Sequence, residues 1–222
     1  TKSNLAEYLQ TSLNSNIKIL QFWMTEKKLD AEVLASESDI QEKIFHLVKL
    51  SEKKTVTAKE LLATKELTGL RKQLGLTSKK YGFVGFVIFN KAGLQIGALL
   101  DHAVGSDALK DRSNFFKRSL QGKTVVSQPF KAEIGLPDVN GVMHKNWPTM
   151  FVSTPVKNQA GDIKAVLAFR IRPEIEFSEL FYGNRFGKSG ETYAFSLEGM
   201  MLTNSRFNQS LRRWKLIPQS PS

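Results

Sequence analysis

Residues 148–171 constrain the fold of this chain more than any other stretch. Pro148-Thr149-Met150-Phe151-Val152-Ser153-Thr154-Pro155-Val156 is apolar and β-branched. Asn158-Gln159-Ala160-Gly161-Asp162 has turn chemistry, and Ile163-Lys164-Ala165-Val166-Leu167-Ala168-Phe169-Arg170-Ile171 is apolar again. Two strands joined by a tight turn are antiparallel neighbours, because parallel neighbours need a long crossover. Just upstream, residues 106–121 read as a helix containing Phe115-Phe116 and ending at Gly122-Lys123, and Thr124–Phe130 reads as a further strand. Helix, strand, strand, turn and strand are the parts of a small antiparallel sheet with one covering helix.

The flanking segments extend this plan. Residues 2–35 lack Gly and Pro, and Leu5, Leu9, Leu13, Ile17, Leu20, Met24, Ala31 and Leu34 recur at helical steps, which predicts one long helix packed by that face. Ser38-Asp39-Ile40-Gln41 has the form of a capping box opening a second helix with Ile40, Ile44, Leu47 and Val48 inward. Thr57-Ala58-Lys59-Glu60 repeats that signature and opens a third helix through Leu62, Leu67, Leu70 and Leu74, with Gly75 as its stop. The pattern then changes to aromatic and β-branched residues. Residues 81–99 read as a hairpin turning at Asn90-Lys91-Ala92-Gly93. Residues 131–147 read as a long loop in which Trp147, His144 and Lys145 form either a lid or an inward-packing anchor. A short helix is expected over 174–181 after Pro173, and residues 190–205 echo the first hairpin.

Composition narrows the function. A chain of 222 residues can bury a substantial core, and its 41% hydrophobic and 24% charged residues suit a folded domain. With no cysteine, no disulfide or thiolate metal site is possible. No run of roughly 18 apolar residues occurs, and no signal peptide is recognisable. The chain begins in mid-pattern at Thr1 and ends at Ser222 without a clear stop, as a segment of a longer protein would. The net charge of +11 is spread without a block of like charges, so it reads first as a solvated basic surface. Hallmarks of catalysis are missing: His46, His102 and His144 are far apart, and no nucleophile-elbow, phosphate-loop or dinucleotide motif occurs. No enzymatic activity, cofactor or nucleic-acid partner is expected.

Gln21 to Ala35 resembles the long leading helix of the double Cache family of extracytoplasmic sensors. Phe115-Phe116 through Gly122-Lys123, Val126-Ser127-Gln128-Pro129-Phe130, the paired strands of 151–170 and Phe186-Gly187-Lys188-Ser189-Gly190-Glu191-Thr192-Tyr193 follow that family's order. The resemblance implies an α+β architecture: a helical region over 1–77, a membrane-distal PAS-like antiparallel module over 78–172, and over 173–222 a linker helix with the start of a membrane-proximal module. It implies a small-molecule ligand, flanking transmembrane segments, pairing of two copies through the long helix, and an extracytoplasmic location at the cell membrane. The output would be a histidine kinase, a cyclase, another kinase or a chemotaxis domain. Two rivals stay open: a polyanion- or nucleic-acid-binding module, and a ligand-free dimerising ectodomain.

The ligand site implied by the resemblance comprises Phe115, Phe116, Ser127, Gln128, Phe130, Ser153 and Arg170. Members that bind amino acids carry an arginine ahead of a Trp-Tyr pair; here Arg112 is out of register and Phe115-Phe116 stand in that pair's place. They also carry an aspartate near the end of the last strand, where this chain has Arg170, so a carboxylate or other anion is expected in place of an ammonium. On their own chemistry these residues have ordinary alternatives. Phe115 and Phe116 can be core, and Ser127 and Gln128 can be a solvated edge before Pro129. Arg170 shares a strand face with Ala168, and that face is either a pocket or wet. Asp101 or Glu133 could neutralise Arg170 internally.

Overall fold

The computed structural model describes residues 2–53, 56–107, 114–138, 140–181, 190–197, 199, 201 and 202–217. Glu26–Gln128 with Thr149–Ile171 forms one compact unit, and Thr1–Thr25, Pro129–Pro148 and Arg172–Ser222 form another.

In the first unit the expected helices form, with their ends displaced for local reasons. Helix α1 (Lys2–Ser36) is continuous, and α2 (Ser38–Ser51) starts two residues after it ends. That proximity removes the capping box expected at Ser38. Glu37 takes the cap position without a side-chain bond, and the Gln41 amide donates back to the Ala35 carbonyl at 3.0 Å. The Thr57 box does form, with the Glu60 amide donating to Thr57 Oγ1 and the Thr57 amide donating to the Glu60 carboxylate. The third helix is two helices, α3 (Ala58–Leu62) and α4 (Lys65–Lys80), because the Thr64 hydroxyl caps a new start by accepting from the Leu67 amide at 3.3 Å. Gly75 lies inside α4. The stop is Gly82, whose φ of 78° lets its amide reach the Lys79 carbonyl while the Phe83 amide reaches Ser78.

Strands β1 (Gly85–Asn90) and β2 (Gln95–Ala98) form the first hairpin. Helix α5 (Asn114–Leu120) covers part of the predicted 106–121; Ser106 and Asp107 are not helical, and 108–113, including Arg112, lie outside the described residues. Strand β3 is only Val125–Val126, shorter than the expected 124–130. After β4 (Phe130–Lys131), the predicted loop contains a small antiparallel hairpin, β5 (Leu136–Pro137) with β6 (Met143–His144). The long strands β7 (Pro148–Lys157) and β8 (Ile163–Ile171) lie where the sequence pattern puts them. The sheet runs β2-β1-β8-β7-β3, with each neighbouring pair antiparallel.

Register sorts the side chains of this sheet into two faces. Phe86, Ile88 and Asn90 stand beside Phe169, Leu167 and Ala165, which stand beside Val152, Thr154 and Val156. This face meets the helices: Phe83 stacks on Phe169 at 4.7 Å, and Asn90 donates to Ser51 at the end of α2. Ile40, Ile44 and Leu47 of α2 and Leu67, Leu70 and Leu74 of α4 are fully buried. Each such side chain contributes on the order of 1.5–3 kcal/mol of transfer free energy. The opposite face carries Val87, Phe89, Val166, Ala168, Arg170, Phe151 and Ser153 and lies under α5. Every residue from Ala165 to Ile171 is buried, so both faces of β8 are covered.

Burial along α1 departs from the expected pattern. Leu34 and Ala31 are buried, but Leu5, Leu9, Leu13 and Ile17 are 43–50% exposed. In the second unit Asn16 is the buried residue of the early helix, and its amide donates to the Thr192 hydroxyl. Beside β4, β5 and β6, that unit holds a π-helical turn at Pro173–Phe177, where a short helix was expected, and α6 (Asn208–Arg213). The strand pairing expected over 190–205 reduces, among the described residues, to a bridge between Phe195 and Met201.

Candidate functional site

The site is built on the sheet face beneath α5. Strand alternation brings Thr149, Phe151 and Ser153 of β7 to that face, next to Ala168 and Arg170 of β8. Gly85 faces Arg170 from β1, and a Cβ there would meet the Arg170 Cβ at an ordinary contact distance of 3.8 Å. Arg170 is 5% exposed, so its face is covered. Its Nε donates to the Thr149 hydroxyl, itself buried, at 3.3 Å. Asp101, an internal partner considered from sequence, pairs instead with Arg71 at 2.7 Å.

Phe115 and Phe116 are both buried, and each packs on an aromatic of the same sheet face, Phe115 stacked and Phe116 tilted. Phe115 meets Phe151 at 5.5 Å between centroids, and Phe116 meets Phe89 at 5.3 Å. The two rings straddle β8, which lies between β1 and β7. Ser153, also a predicted site residue, holds the helix down: its Oγ is 2.8 Å from Ser119 Oγ and donates to the Phe115 carbonyl at 3.4 Å. These contacts place a cation, hydroxyls and aromatic rings together beneath one helix, a donor-rich environment walled by apolar surface.

The remaining predicted residues have other places. Ser127 extends the β3–β7 pairing: its amide donates to the Phe151 carbonyl at 2.8 Å and its Oγ accepts from the Phe151 amide at 2.9 Å. Gln128 is exposed, and Phe130 belongs to the other unit. Sequence reasoning missed Thr149, Ser119, Phe151 and Gly85. Thr149 and Phe151 were within reach, since they alternate with Ser153 in a recognised strand. Ser119 and Gly85 depend on how α5 and β1 dock, which no local pattern encodes.

In the second unit, Trp147 is an anchor. Its indole donates to Glu174 Oε1 at 3.0 Å, and His144 stacks on its ring at 4.3 Å. Asp138 closes the β5–β6 turn by accepting from the amides of Asn140 and Val142, and it bonds His144 Nε2 at 2.9 Å. The bond from His144 is the main cause holding the Asp138 carboxyl below its usual range, against some desolvation, with the two amides adding to it. Arg172 donates to the carbonyls of Pro137 and Asp138. Among the described residues no His/Cys/Asp/Glu group could hold a metal ion, and no helix is long and apolar enough to cross a membrane.

The fold is similar to that of several solved receptor sensor domains. The ligand-binding domain of the Pseudomonas fluorescens chemoreceptor CtaA, solved in complex with L-serine, matches over 95% of this chain and 76% of that one, with a TM-score of 0.53 and 16% identity. The sensor domain of the Vibrio cholerae histidine kinase DctB matches over 76% of this chain and 56% of that one, with a TM-score of 0.51 and 12% identity. The periplasmic domain of Vibrio cholerae LuxQ matches over 90% and 80%, with a TM-score of 0.50 and 10% identity. No family model matches the chain, and no curated protein matches its sequence. At these identities the likeness establishes the fold: a long leading helix and a PAS-like antiparallel sheet, as in the sensor domains of chemoreceptors and sensor kinases.

Proposed function

We propose that this chain is the extracytoplasmic sensing region of a transmembrane receptor and that its 78–172 module binds a small carboxylate-bearing molecule. The observation that carries the reading is Arg170, a buried cation bonded to Thr149 and in register with Phe151, on which Phe115 stacks. A planar guanidinium is the natural bidentate complement of a carboxylate, and such pairs are strengthened where water is excluded. The CtaA domain was solved with L-serine, which carries a carboxylate. In this reading Arg170 anchors the ligand, Thr149 orients the anchor, and Phe115 and Phe116 wall it. Ser127 and Ser153 hold β3 and α5 in position, Gln128 is exposed, and Phe130 belongs to the other unit. The region carries no catalysis. Ligand binding shifts the population between two receptor states only by its differential affinity for them.

A thermal-shift screen of organic acids, repeated on Arg170→Ala, tests this. Stabilisation of the wild type that is lost in the variant supports the assignment. Equal stabilisation of both, or stabilisation by amines alone, removes it.

One observation favours a second reading, a ligand-free dimerising ectodomain. The Phe115–Phe151 and Phe116–Phe89 ring contacts and the Ser119–Ser153 bond already occupy the face under α5. Meanwhile α1 presents Leu5, Tyr8, Leu9 and Leu13 to solvent. Under this reading light scattering finds a dimer that Leu9→Lys disrupts, and no acid in the screen shifts the melting temperature.

A further inference from the structure

Residues 207–216 present an arrangement that neither ligand binding nor helix stability explains. Phe207, Leu211 and Trp214 recur at helical steps of four and three along α6, which places them on one face. Trp214 and, just beyond the helix, Leu216 are 68% and 67% exposed, whereas Leu211 is half-buried and Phe207, 36% exposed, lies under the Arg206 guanidinium at 4.6 Å. The backbone closes a turn at this point. Lys215 takes φ 57°, the left-handed conformation usually reserved for glycine at a helix end. Its amide donates to the Arg212 carbonyl at 2.9 Å, and the Leu216 amide donates to Leu211 at 2.9 Å. Trp214 and Leu216 therefore flank a closed turn and are held at the surface.

Charge accompanies the apolar side chains. From Gly199 to the end of the sequence there are four basic residues, Arg206, Arg212, Arg213 and Lys215, and no acidic one. Arg206 is spoken for by Glu191 at 3.8 Å, but Arg213 and Lys215 are exposed on either side of Trp214. Basic residues at a helix C-terminus are favoured by the helix dipole. That account leaves the exposed indole and leucine unexplained.

We propose that the turn formed by Phe207, Leu211, Arg213, Trp214, Lys215 and Leu216 docks on the surface of an anionic lipid bilayer. Tryptophan favours the headgroup level, where its ring is amphipathic and its N–H stays wet. Leu216 and Phe207 add apolar area that the acyl boundary covers. Arg213 and Lys215 meet anionic headgroups, and charge complementarity selects this occupant over a neutral apolar partner. The segment lies on the membrane and does not span it. The proposal goes beyond the ligand-sensing reading and does not depend on it, since vesicle binding is measured without any ligand.

The test is co-sedimentation of the full chain with vesicles of phosphatidylglycerol and phosphatidylcholine in equal parts, against pure phosphatidylcholine. Binding is expected to the anionic vesicles only and to weaken with added salt. Neutralising one basic residue should lower the partition coefficient about 5-fold, and the double variant Arg213→Gln, Lys215→Gln about 25-fold. Trp214→Ser should weaken binding while leaving the salt dependence in place. All three side chains are exposed, so circular dichroism is expected to report a folded protein for each variant. Absence of vesicle binding, or binding that neither variant changes, overturns the proposal. A dimer that Trp214→Ser dissociates, with no affinity for vesicles, overturns it as well and assigns the patch to a second copy of the chain.

Discussion

Replacing Ser153 with alanine tests whether α5 is latched to the sheet by a buried hydroxyl pair. Ser153 and Ser119 are both 0% exposed, and their Oγ atoms are 2.8 Å apart. Either hydroxyl can donate within this pair, and Ser153 Oγ also has the Phe115 carbonyl as an acceptor at 3.4 Å. Ser153→Ala removes two interactions and leaves the Ser119 hydroxyl buried without its partner. A buried polar group stripped of its partner costs about 1–3 kcal/mol, so a loss of about 2 kcal/mol is expected. Ser119→Ala leaves Ser153 its bond to Phe115 and should cost about 1 kcal/mol. The double variant has neither hydroxyl to desolvate and should cost less than the sum of the two, giving a coupling of about 1 kcal/mol. Urea unfolding followed by circular dichroism is the assay. With a slope near about 2 kcal/mol/M, Ser153→Ala moves the midpoint by about 1 M at unchanged slope. Additive single effects would show that the two hydroxyls act independently, and the latch would be wrong even if each variant is destabilised.

Other outcomes follow from local geometry. Gly82→Ala forces a Cβ into a backbone with φ 78° at the end of α4, and should cost about 1–2 kcal/mol, read as a lower melting temperature. Thr57→Ala removes the capping box of α3 and should cost about 1 kcal/mol, lowering the melting temperature by about 2–4 °C. Asp138 has a lowered pKa in the folded chain. Its contribution is therefore present above the ordinary value of 3.8 and is lost as pH falls below it through the folded value. Hydrogen exchange should show the 136–144 amides losing protection in that acidic window, beyond the intrinsic pH dependence of exchange, while Asp138→Asn abolishes this extra loss.

The elements legible in the sequence are those whose signal is local. The β7–β8 hairpin was readable because alternation and the Asn158–Asp162 turn are both contained in it, and the Asn158 side chain does close that turn by accepting from the Asp162 amide at 2.8 Å. The Thr57 box was readable because donor and acceptor are three residues apart. Helix ends were less so. Gly75 and Gly82 are equivalent in sequence terms, and the sheet that begins at Gly85 decides which of them stops α4. The Ser38 cap failed because α1 ends immediately before it. Site residues divide the same way. Alternation put Arg170 opposite to Phe169, but only tertiary packing over that face makes it a buried cation and not a surface charge. Phe115 and Phe116 were recognisable as aromatic, yet their partners Phe151 and Phe89 come from two strands on opposite sides of β8. Periodicity encodes which side chains share a face. What covers that face depends on contacts between segments distant in sequence, and those exist only once the chain has packed.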